Sequence, residues 1–501
     1  MKFRVGVPRN HPLALPVLVD DWIPADHLAR VVDRVVDALD LSEVEAKFHD
    51  QGPGAPAYSP KLLLKLLAYG YLTHRFSSRR ISLACREDLG FLWLARLEQP
   101  RHSVISDFRQ QHVDDLPEWL AQVVLLCIEE GMVGWKLGAL DGTKIHADAS
   151  KHKAMSFGRM TAVIPQLEEE LKKIVAAHGA ADDALPADPT VAAVPADHED
   201  RVRERLAAIR KAQADLKAQW AKDHPADPEP PDSAQINFTD PESHIMVTKN
   251  QGVQQAYNSQ IVVDAQEGII VAAVVSAHPN DMEELAPAME AVQATGGQMF
   301  EQTVADAGYF SAANVQKLEA LGSEGYIAAG SDTWRTVNGQ KLFGKGQFRY
   351  DPTTDVFRCP GDQKIEHTGD GQESVGGGET RAIAIYRSDR ATCGACSLKA
   401  QCLTAKQSTK KLTRGADDAI RDAMKAKVRS PEGDAIYRRR KAIVEPAIGI
   451  VKETMGFRQW SLRGLRKVRG EFALVAMAYD IRKIWRKMRT RGQKAVAAFS
   501  A

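Results

Sequence analysis

The chain has 501 residues, and 44% of them are hydrophobic, which is enough for folded cores and excludes a wholly disordered protein. At about 150 residues per domain, this length predicts roughly three domains. The formal net charge is only +1, but the charge is unevenly distributed. Residues 431–501 hold 17 Lys and Arg against 6 Asp and Glu, whereas residues 161–240 hold 9 against 16. A basic C-terminal segment of this kind is suited to attract a polyanion.

The apolar stretches bear on localisation. Residues 1–10 lack the apolar core of a signal peptide, and the longest apolar stretch, residues 123–128, is far shorter than the ~20 residues that cross a bilayer. We therefore expect a cytoplasmic protein with no membrane partner. Four of the six cysteines lie between residues 359 and 402, and in a reducing compartment such a cluster indicates a metal site rather than disulfides.

Residues 1–130 have the pattern of a helical domain. Ser59-Pro60 predicts a helix start, and Ser103 predicts the N-cap of another helix. Short helices that are joined by tight breaks and carry arginines suit a helix-turn-helix-like DNA-binding unit. A plain helical bundle with a solvated basic face is the alternative. The arginines concerned are Arg75, Arg79, Arg80, Arg86, Arg101 and Arg109.

Strand and helix signals then alternate. Residues 135–148 predict a strand, a bend at Gly142-Thr143 and a second short strand. Residues 161–234 predict a helical hairpin with flexible Pro/Ala/Asp-rich loops, and residues 331–430 a Gly-rich, Cys-bearing insert. Further strands are predicted at 257–263, 269–275, 301–306 and 326–329, with helices at 282–294, 311–321 and 431–490, before a tail at 491–501. This order predicts a mixed α/β protein with two large insertions.

Three acidic residues are candidates for chemistry. Asp141 and Asp306 each end a predicted strand, where a sheet delivers side chains into a cleft. Glu445 and Lys452 are seven residues apart, about two helical turns, and therefore share one face, while Pro446 predicts a helix start or kink. Converging carboxylates need cations, and oxygen ligands select Mg²⁺ or Mn²⁺, of which a pair can clamp a phosphodiester displacement. Because the chain has 65 acidic residues, a chance placement at strand ends is the alternative.

The cysteines Cys359, Cys393, Cys396 and Cys402 form the second candidate. The Cys-x2-Cys spacing of the middle pair is typical of zinc sites, and four thiolates would make a closed structural site. Residues 361–380 are Gly-rich and polar, so we expect them to bury little core and a Zn²⁺ ion to hold the insert together. Four free thiols in a degenerate insert are the alternative.

The third candidate is a basic run near Phe457 and Trp460. Neutralisation of phosphates by such a run would make binding steeply dependent on salt. A solvated helix face is the alternative. The run comprises Arg438, Arg439, Arg440, Lys441, Arg458, Arg463, Arg466, Lys467 and Arg469.

In their order and spacing, several fragments resemble the bacterial insertion-sequence transposases of the DDE type, in the group with an N-terminal helical domain and a cysteine-bearing insert. The resemblance covers nearly the whole chain. The fragments are Tyr58–Leu67, Phe76–Ile81, Ser106–Arg109, Leu140–His146, Ala256–Asp264, Ala305–Tyr309, Val444–Pro446 and Arg463–Val468.

The resemblance implies an RNase H-like core built from residues 131–160, 235–330 and 431–490. It implies that Asp141, Asp306 and Glu445 are the DDE triad, which would hold two Mg²⁺ ions. The implied activity is cleavage at the element's terminal inverted repeats followed by 3′-OH transfer to target DNA, without a covalent protein–DNA intermediate. Pairing of two element ends implies a homodimer in the active complex.

The resemblance also implies DNA contacts in the C-terminal region. Related elements carry a Tyr-x2-Arg-x3-Glu-x6-Lys signature, but here four residues separate Arg440 from Glu445, so Lys452 is a firmer match than Tyr437 or Arg440. An inactive DNA-binding protein and a nuclease without strand transfer are the alternatives. The expected DNA-binding residues are Lys452, Arg440, Tyr437, Arg463, Arg466, Lys467, Arg79 and Arg80.

Overall fold

The structure, a computed structural model, describes residues 18–47, 57–183, 196–248, 252–330, 332–376 and 379–490. Its helices are α1 (Leu28–Ala38), α2 (Ser42–Glu45), α3 (Pro60–Leu72), α4 (Ser78–Glu87), α5 (Leu89–Leu94), α6 (His102–Gln111), α7 (Leu116–Glu129), α8 (Phe157–Asp183), α9 (Ala196–Asp223), α10 (Leu285–Gly296), α11 (Ala312–Ala320), α12 (Arg390–Gly394), α13 (Lys399–Cys402), α14 (Asp417–Arg429), α15 (Pro431–Gly449) and α16 (Leu465–Thr490). Its strands are β1 (Leu137–His146), β2 (Ala154–Ser156), β3 (Gln235–Asn237), β4 (His244–Thr248), β5 (Gly252–Asp264), β6 (Ile270–Ser276), β7 (Gln302–Ala305), β8 (Glu324–Ile327), β9 (Trp334–Val337), β10 (Gln340–Phe343), β11 (Arg349–Asp351), β12 (Val356–Arg358), β13 (Lys364–Gly376), β14 (Glu379–Ser388) and β15 (Lys411–Gly415). The fold is mixed α/β with a helical N-terminal region, as the sequence predicts.

A six-stranded sheet forms the centre of the molecule. Its order is β4-β5-β1-β7-β8, and β6 pairs with the second half of β5. Strand β5 runs antiparallel to both of its neighbours β6 and β1, whereas β7 and β8 run parallel to β1. The hairpin of β5 and β6 turns at residues 265–269, as predicted. The apolar run Ile261–Val263 is buried on β5, as is expected for a strand that is covered on both faces.

The predicted bend at Gly142-Thr143 is wrong. Strand β1 continues through both residues, and Gly142 lies opposite Gln260 of β5. A Cβ atom at Gly142 would lie 2.6 Å from the Gln260 side-chain amide, so the glycine permits a close approach between strands and does not mark a turn. Asp141 therefore lies in the middle of β1.

The N-terminal helices pack directly against the C-terminal helix. Helix α16 is apolar around its circumference between Phe472 and Tyr479, and α1, α3 and α7 cover it on one side and β6 on another. A single hydrophobic core extends from Ile23 to Met488, so the predicted boundary at residue 130 does not coincide with a gap in the core. Helix α3 starts at Pro60 as predicted. Helix α6 starts earlier than predicted, with Arg101 at its N-cap and not Ser103.

Two segments build separate small cores. Helices α8 and α9 pack along each other around residues such as Met160 and Ile209. Part of the loop predicted between them, residues 184–195, lies outside the described residues, as does the predicted tail. Strands β11 to β15 form an antiparallel sheet with an apolar cluster around Phe357 and Tyr386. Among the described residues of 361–380, Ile365 alone belongs to this cluster, so that stretch buries little core, as expected. Among the described helices, none is long and apolar enough to span a membrane.

Candidate active site

Asp141, Asp306 and Glu445, which lie far apart in the sequence, line one cavity of about 520 Å³. The sheet register explains two of the three positions. Leu140 of β1 pairs with Ala305 of the parallel strand β7, and each is followed by one of the aspartates. Parallel pairing therefore places Asp141 and Asp306 side by side. Helix α15 packs against β1 and β7 and brings in Glu445.

Asp141 is the most enclosed of the three carboxylates. One of its oxygens accepts the Gly142 N–H at 2.9 Å, and the other accepts an N–H of Arg440 at 2.8 Å. The two side chains are only 19% and 10% exposed. Burial raises the pKa of the Asp141 carboxyl and the charge of Asp306 adds to this effect, although Arg440 opposes it. Removal of the Arg440 charge would therefore leave a partly buried carboxylate without compensation.

Asp306 and Glu445 are more open. Asp306 is half-buried and caps the short 3₁₀ turn that follows it, accepting the Gly308 N–H at 2.8 Å. Glu445 is exposed on α15, and within the described parts of the chain it has no ion pair or hydrogen bond through its side chain. These two carboxylates are thus available to cations in the cavity.

The helix around Glu445 differs from the prediction. Helix α15 runs through Pro446 to Gly449, so Pro446 does not start a helix. Proline removes the N–H that would bond the carbonyl of residue 442, and residue 442 is exposed, so the lost bond is tolerated there. A π-helical turn at 450–454 follows and carries Lys452, whose ammonium donates to the Lys144 carbonyl at 3.1 Å. Lys452 lines the same cavity as Glu445, as their spacing predicts.

A polar network that includes one residue missed by the sequence analysis supports the cavity. One oxygen of Asp281 accepts from Lys144 at 3.0 Å, from Asn258 at 2.7 Å and from Gln260 at 3.0 Å. Tyr309 in turn donates a hydrogen bond to Gln260. Asp281 lies between β6 and α10, and no motif or strand end marks it in the sequence.

The donor chemistry of the cavity suits Mg²⁺ or Mn²⁺, because its acidic groups are all carboxylates. In this conformation, however, no group of three or more His, Cys, Asp or Glu side chains in the described ranges is close enough to hold a metal ion. One oxygen of Asp141 is engaged by Arg440. The three carboxylates therefore share a cavity without forming a closed ligand set.

The four cysteines of the insert also lie near one another, although in this conformation no three of them are close enough to hold a metal ion. They line one small cavity of about 40 Å³ beside β13 and α12, and all of them are free thiols. Burial raises the pKa of the Cys402 thiol, and the three other sulfurs add to the effect. Cys393 donates a hydrogen bond to Ser388 at 3.0 Å, and Cys359 accepts the N–H of Gln363 at 3.3 Å.

The residues expected to bind DNA fall into two groups. Arg440 and Tyr437 lie inside the site, and Arg440 faces Asp141 and not the open surface. Lys452 lines the cavity, and the other five lie on the surface. Arg463 pairs with Asp148, Arg466 with Asp114, and Lys467 donates to Gln110, while Arg79 and Arg80 are exposed on α4.

Arg109 corrects the reading of the N-terminal arginines as one DNA-binding set. It is 6% exposed and donates hydrogen bonds to Tyr71 and Ser461, so it fastens α6 to the segment before α16. Sequence alone could not separate this buried arginine from its exposed neighbours. All of them occur in or beside short helices.

Comparison with known families identifies two segments. Residues 17–111 match the family described as "Transposase domain (DUF772)", and residues 358–485 match the one described as "Transposase DDE domain". The second match includes Glu445, Lys452 and the cysteines, whereas Asp141 and Asp306 lie between the two matches. No curated protein matches the chain. Both matched families are transposase families, and together the two matches support an insertion-sequence DDE transposase.

Proposed function

We propose that this transposase binds the terminal inverted repeats of its own element and catalyses metal-dependent strand cleavage followed by 3′-OH strand transfer to target DNA. The observation that carries the proposal is the shared cavity of Asp141, Asp306 and Glu445. The sheet supports an RNase H-like core, because three antiparallel strands are extended by two parallel ones in the order β6-β5-β1-β7-β8. The helical hairpin then lies between β2 and β3, and the cysteine-bearing segment follows β8.

The three carboxylates would hold the divalent ions, and basic residues around them would hold the DNA. Two bound Mg²⁺ ions would activate the attacking oxygen and stabilise the leaving one. Lys452 and Arg458 line the cavity and would orient the scissile phosphate. Arg440 holds Asp141 in place, and Lys144 is fixed by Asp281. Phosphodiester displacement by water or a 3′-OH needs no protein nucleophile, so no covalent intermediate is proposed.

Other surfaces would bind the DNA outside the cut. Arg79 and Arg80 on α4, and Arg463 and Arg466 near the start of α16, are exposed, and Lys467 beside them is half-buried. Contacts from such side chains to phosphates fix the register of a protein on a duplex and make binding dependent on salt. We propose a homodimer for the complex that pairs two element ends.

The four cysteines of the insert would hold one structural Zn²⁺ ion. They line the same cavity, and a set of four thiolates is a donor set that zinc prefers. Bound zinc would tie β13 to the short helices α12 and α13, which have no buried residues of their own.

The catalytic proposal is tested with Asp141→Asn, Asp306→Asn and Glu445→Gln. A supercoiled plasmid that carries the element is incubated with Mg²⁺, and cleaved ends and joined products are measured. Loss of one ligand removes several kcal/mol of transition-state stabilisation, so each rate should fall by about 10²-fold or more. The matched control is Asp434→Asn, which removes a carboxylate from α15 that pairs with Arg438 outside the cavity.

Undiminished cleavage by any of the three variants would refute the triad. The alternatives are separated by pre-cleaved, labelled element ends and a target plasmid. A transposase joins these ends to the target, a nuclease only shortens them, and an inactive DNA-binding protein leaves them unchanged.

A further inference from the structure

A second cavity, of about 460 Å³, lies within the cysteine-bearing insert, between residues 332–357 and helix α14. Its size is within the about 300–1,000 Å³ that is typical of ligand pockets. We propose that it binds phosphate groups of the DNA backbone, at a site separate from the catalytic cavity. The inference rests on the transposase function proposed above and adds a second place where this chain holds its DNA.

The charges that line the cavity are unbalanced. Each acidic side chain is paired with a basic one, at 2.7 Å for Lys345 and Asp418, 2.6 Å for Arg414 and Asp422, and 3.0 Å for Lys425 and Asp332. Three more arginines line the cavity and have no acidic partner there. They are Arg349, Arg421 and Arg429. The cavity thus carries an excess of three positive charges.

These three arginines are free to bind an anion. Arg349 and Arg429 are exposed, and Arg421 is half-buried with its guanidinium 5.1 Å from the centre of the Phe310 ring. Across the ranges that the structure describes, none of the three has an ion pair or a side-chain hydrogen bond. Like charges in one cavity repel each other unless an anion joins them, and the planar guanidinium fork fits phosphate oxygens.

The aromatic walls favour the sugar–phosphate backbone over the bases. Lys410 lies 4.7 Å from the ring centre of Phe348, and Arg414 lies 3.8 Å from that of Tyr350. Phe357 is only 2% exposed. Because cations cover the rings of Phe348 and Tyr350 and the ring of Phe357 is buried, a nucleobase has little free aromatic surface on which to stack. Recognition through phosphates alone would not depend on the DNA sequence.

The cavity is connected to the catalytic segments. Phe310, which Arg421 contacts, follows Asp306 by four residues, and α14 leads directly into α15 with Glu445. A phosphate bound by Arg421 would therefore lie against the segment that holds a catalytic carboxylate. DNA held at this site and DNA held at the catalytic cavity would be fixed by one packed unit of the protein.

The test is the triple variant Arg349→Gln, Arg421→Gln and Arg429→Gln, with Arg→Lys at the same positions as the matched control. Binding of a short labelled duplex of arbitrary sequence is measured by fluorescence anisotropy over a series of salt concentrations. Each lost phosphate contact lowers the slope of log K against log salt by about 0.9, so three lower it by about 2.7. Between about 50 and 200 mM salt, the unaltered protein should then lose about 40-fold more affinity than the Gln variant. The Lys variant should keep the original slope.

An unchanged slope in the folded Gln variant would overturn the proposal. A second arm uses labelled ATP and inorganic pyrophosphate, because a small phosphate compound could use the same chemistry. If the Gln variant loses binding of these compounds but keeps its duplex slope, the site does not serve DNA. Asp141→Asn serves as the reference for the catalytic proposal, since it should abolish cleavage and leave this slope unchanged.

Discussion

A buried polar network joins the N-terminal helices to α16. Glu471 on α16 is fully buried, and one of its oxygens accepts a hydrogen bond from the Tyr71 hydroxyl on α3 at 2.6 Å. Its other oxygen accepts the N–H groups of Ser461 and Leu462, each at 3.0 Å. Arg109 on α6 donates to the Tyr71 hydroxyl at 3.0 Å and to the Ser461 hydroxyl at 3.1 Å. One carboxylate therefore organises donors from three separate parts of the chain.

The change Glu471→Gln tests how much this network stabilises the protein. A glutamine has one acceptor oxygen, so its NH₂ group must face either the Tyr71 hydroxyl or the backbone N–H groups. A buried donor without a partner costs about 1–3 kcal/mol. The buried Arg109 also loses the negative charge to which Tyr71 connects it, and breaking a buried charge pair costs about 3–5 kcal/mol. Since the two costs overlap, we expect the free energy of unfolding to fall by about 3–5 kcal/mol.

The measurement is urea unfolding followed by tryptophan fluorescence. Tyr71→Phe removes only the hydroxyl and should cost less, about 1–2 kcal/mol, because the carboxylate keeps its backbone donors. Asp434→Asn, which removes a surface pair with Arg438, should leave the unfolding midpoint unchanged. A Glu471→Gln protein within about 1 kcal/mol of the original would refute the view that this carboxylate fastens the two ends of the chain together.

Three further predictions concern stability and metal content. Gly470→Ala should lower the free energy of unfolding by about 1–3 kcal/mol or more, because its Cβ atom would lie 2.2 Å from the Val113 carbonyl oxygen between α6 and α7. Gly449→Ala, whose Cβ atom meets open space, should not lower it. Equal melting temperatures of the two variants would contradict this prediction. Burial raises the pKa of the Asp480 carboxyl well above its usual range, so the folded protein favours the protonated form and loses this stability as pH rises above about 4. Asp480→Asn should therefore gain stability relative to the original protein between pH 4 and 8 in urea titrations, and a constant difference across that range would count against it. Cys393→Ser should lower the zinc content found by elemental analysis, whereas Cys85→Ser, at a buried position of α4, should not. Absence of zinc in the unaltered protein would end the zinc proposal.

The sequence indicates Asp141, Asp306 and Glu445 as candidate site residues, but it does not show how the fold brings them together. The sequence predicts strands at residues 135–148 and 301–306 separately, each from its own local pattern. Their pairing joins residues about 165 positions apart, and no local pattern contains that information. The register of Leu140 with Ala305 brings the two aspartates together, and the parallel direction puts them on neighbouring strands at the same level. The family resemblance names the three residues as candidates, but it does not derive the pairing of the strands.

The sequence was least informative where burial changes the meaning of a residue. Glycine is common in turns, yet Gly142 lies inside a strand, where a side chain from β5 occupies the space that a Cβ atom would fill. Arg440 belongs to a basic run and Arg109 to the arginines of the N-terminal helical region, but Arg440 faces Asp141 and Arg109 faces Tyr71 in the interior. Asp281 has no signal at all, because its three partners come from β1 and β5. In each case the decisive neighbour lies far away in the chain.

The distribution of ion pairs in the catalytic cavity has a consequence for the order of binding. Asp141 is paired with Arg440, Asp281 with Lys144, and Glu453 with Arg458. Asp306 and Glu445 have no such ion pair among the described residues, and Lys452 is the remaining cation in the described lining, so negative charge exceeds positive charge in the cavity. A DNA phosphate that entered it would meet these charges in a partly enclosed space, where repulsion is stronger than in water. If the proposed function holds, divalent ions would neutralise Asp306 and Glu445 before or together with the arrival of the DNA. The surface arginines and lysines, which need no metal, can hold the duplex independently of this step.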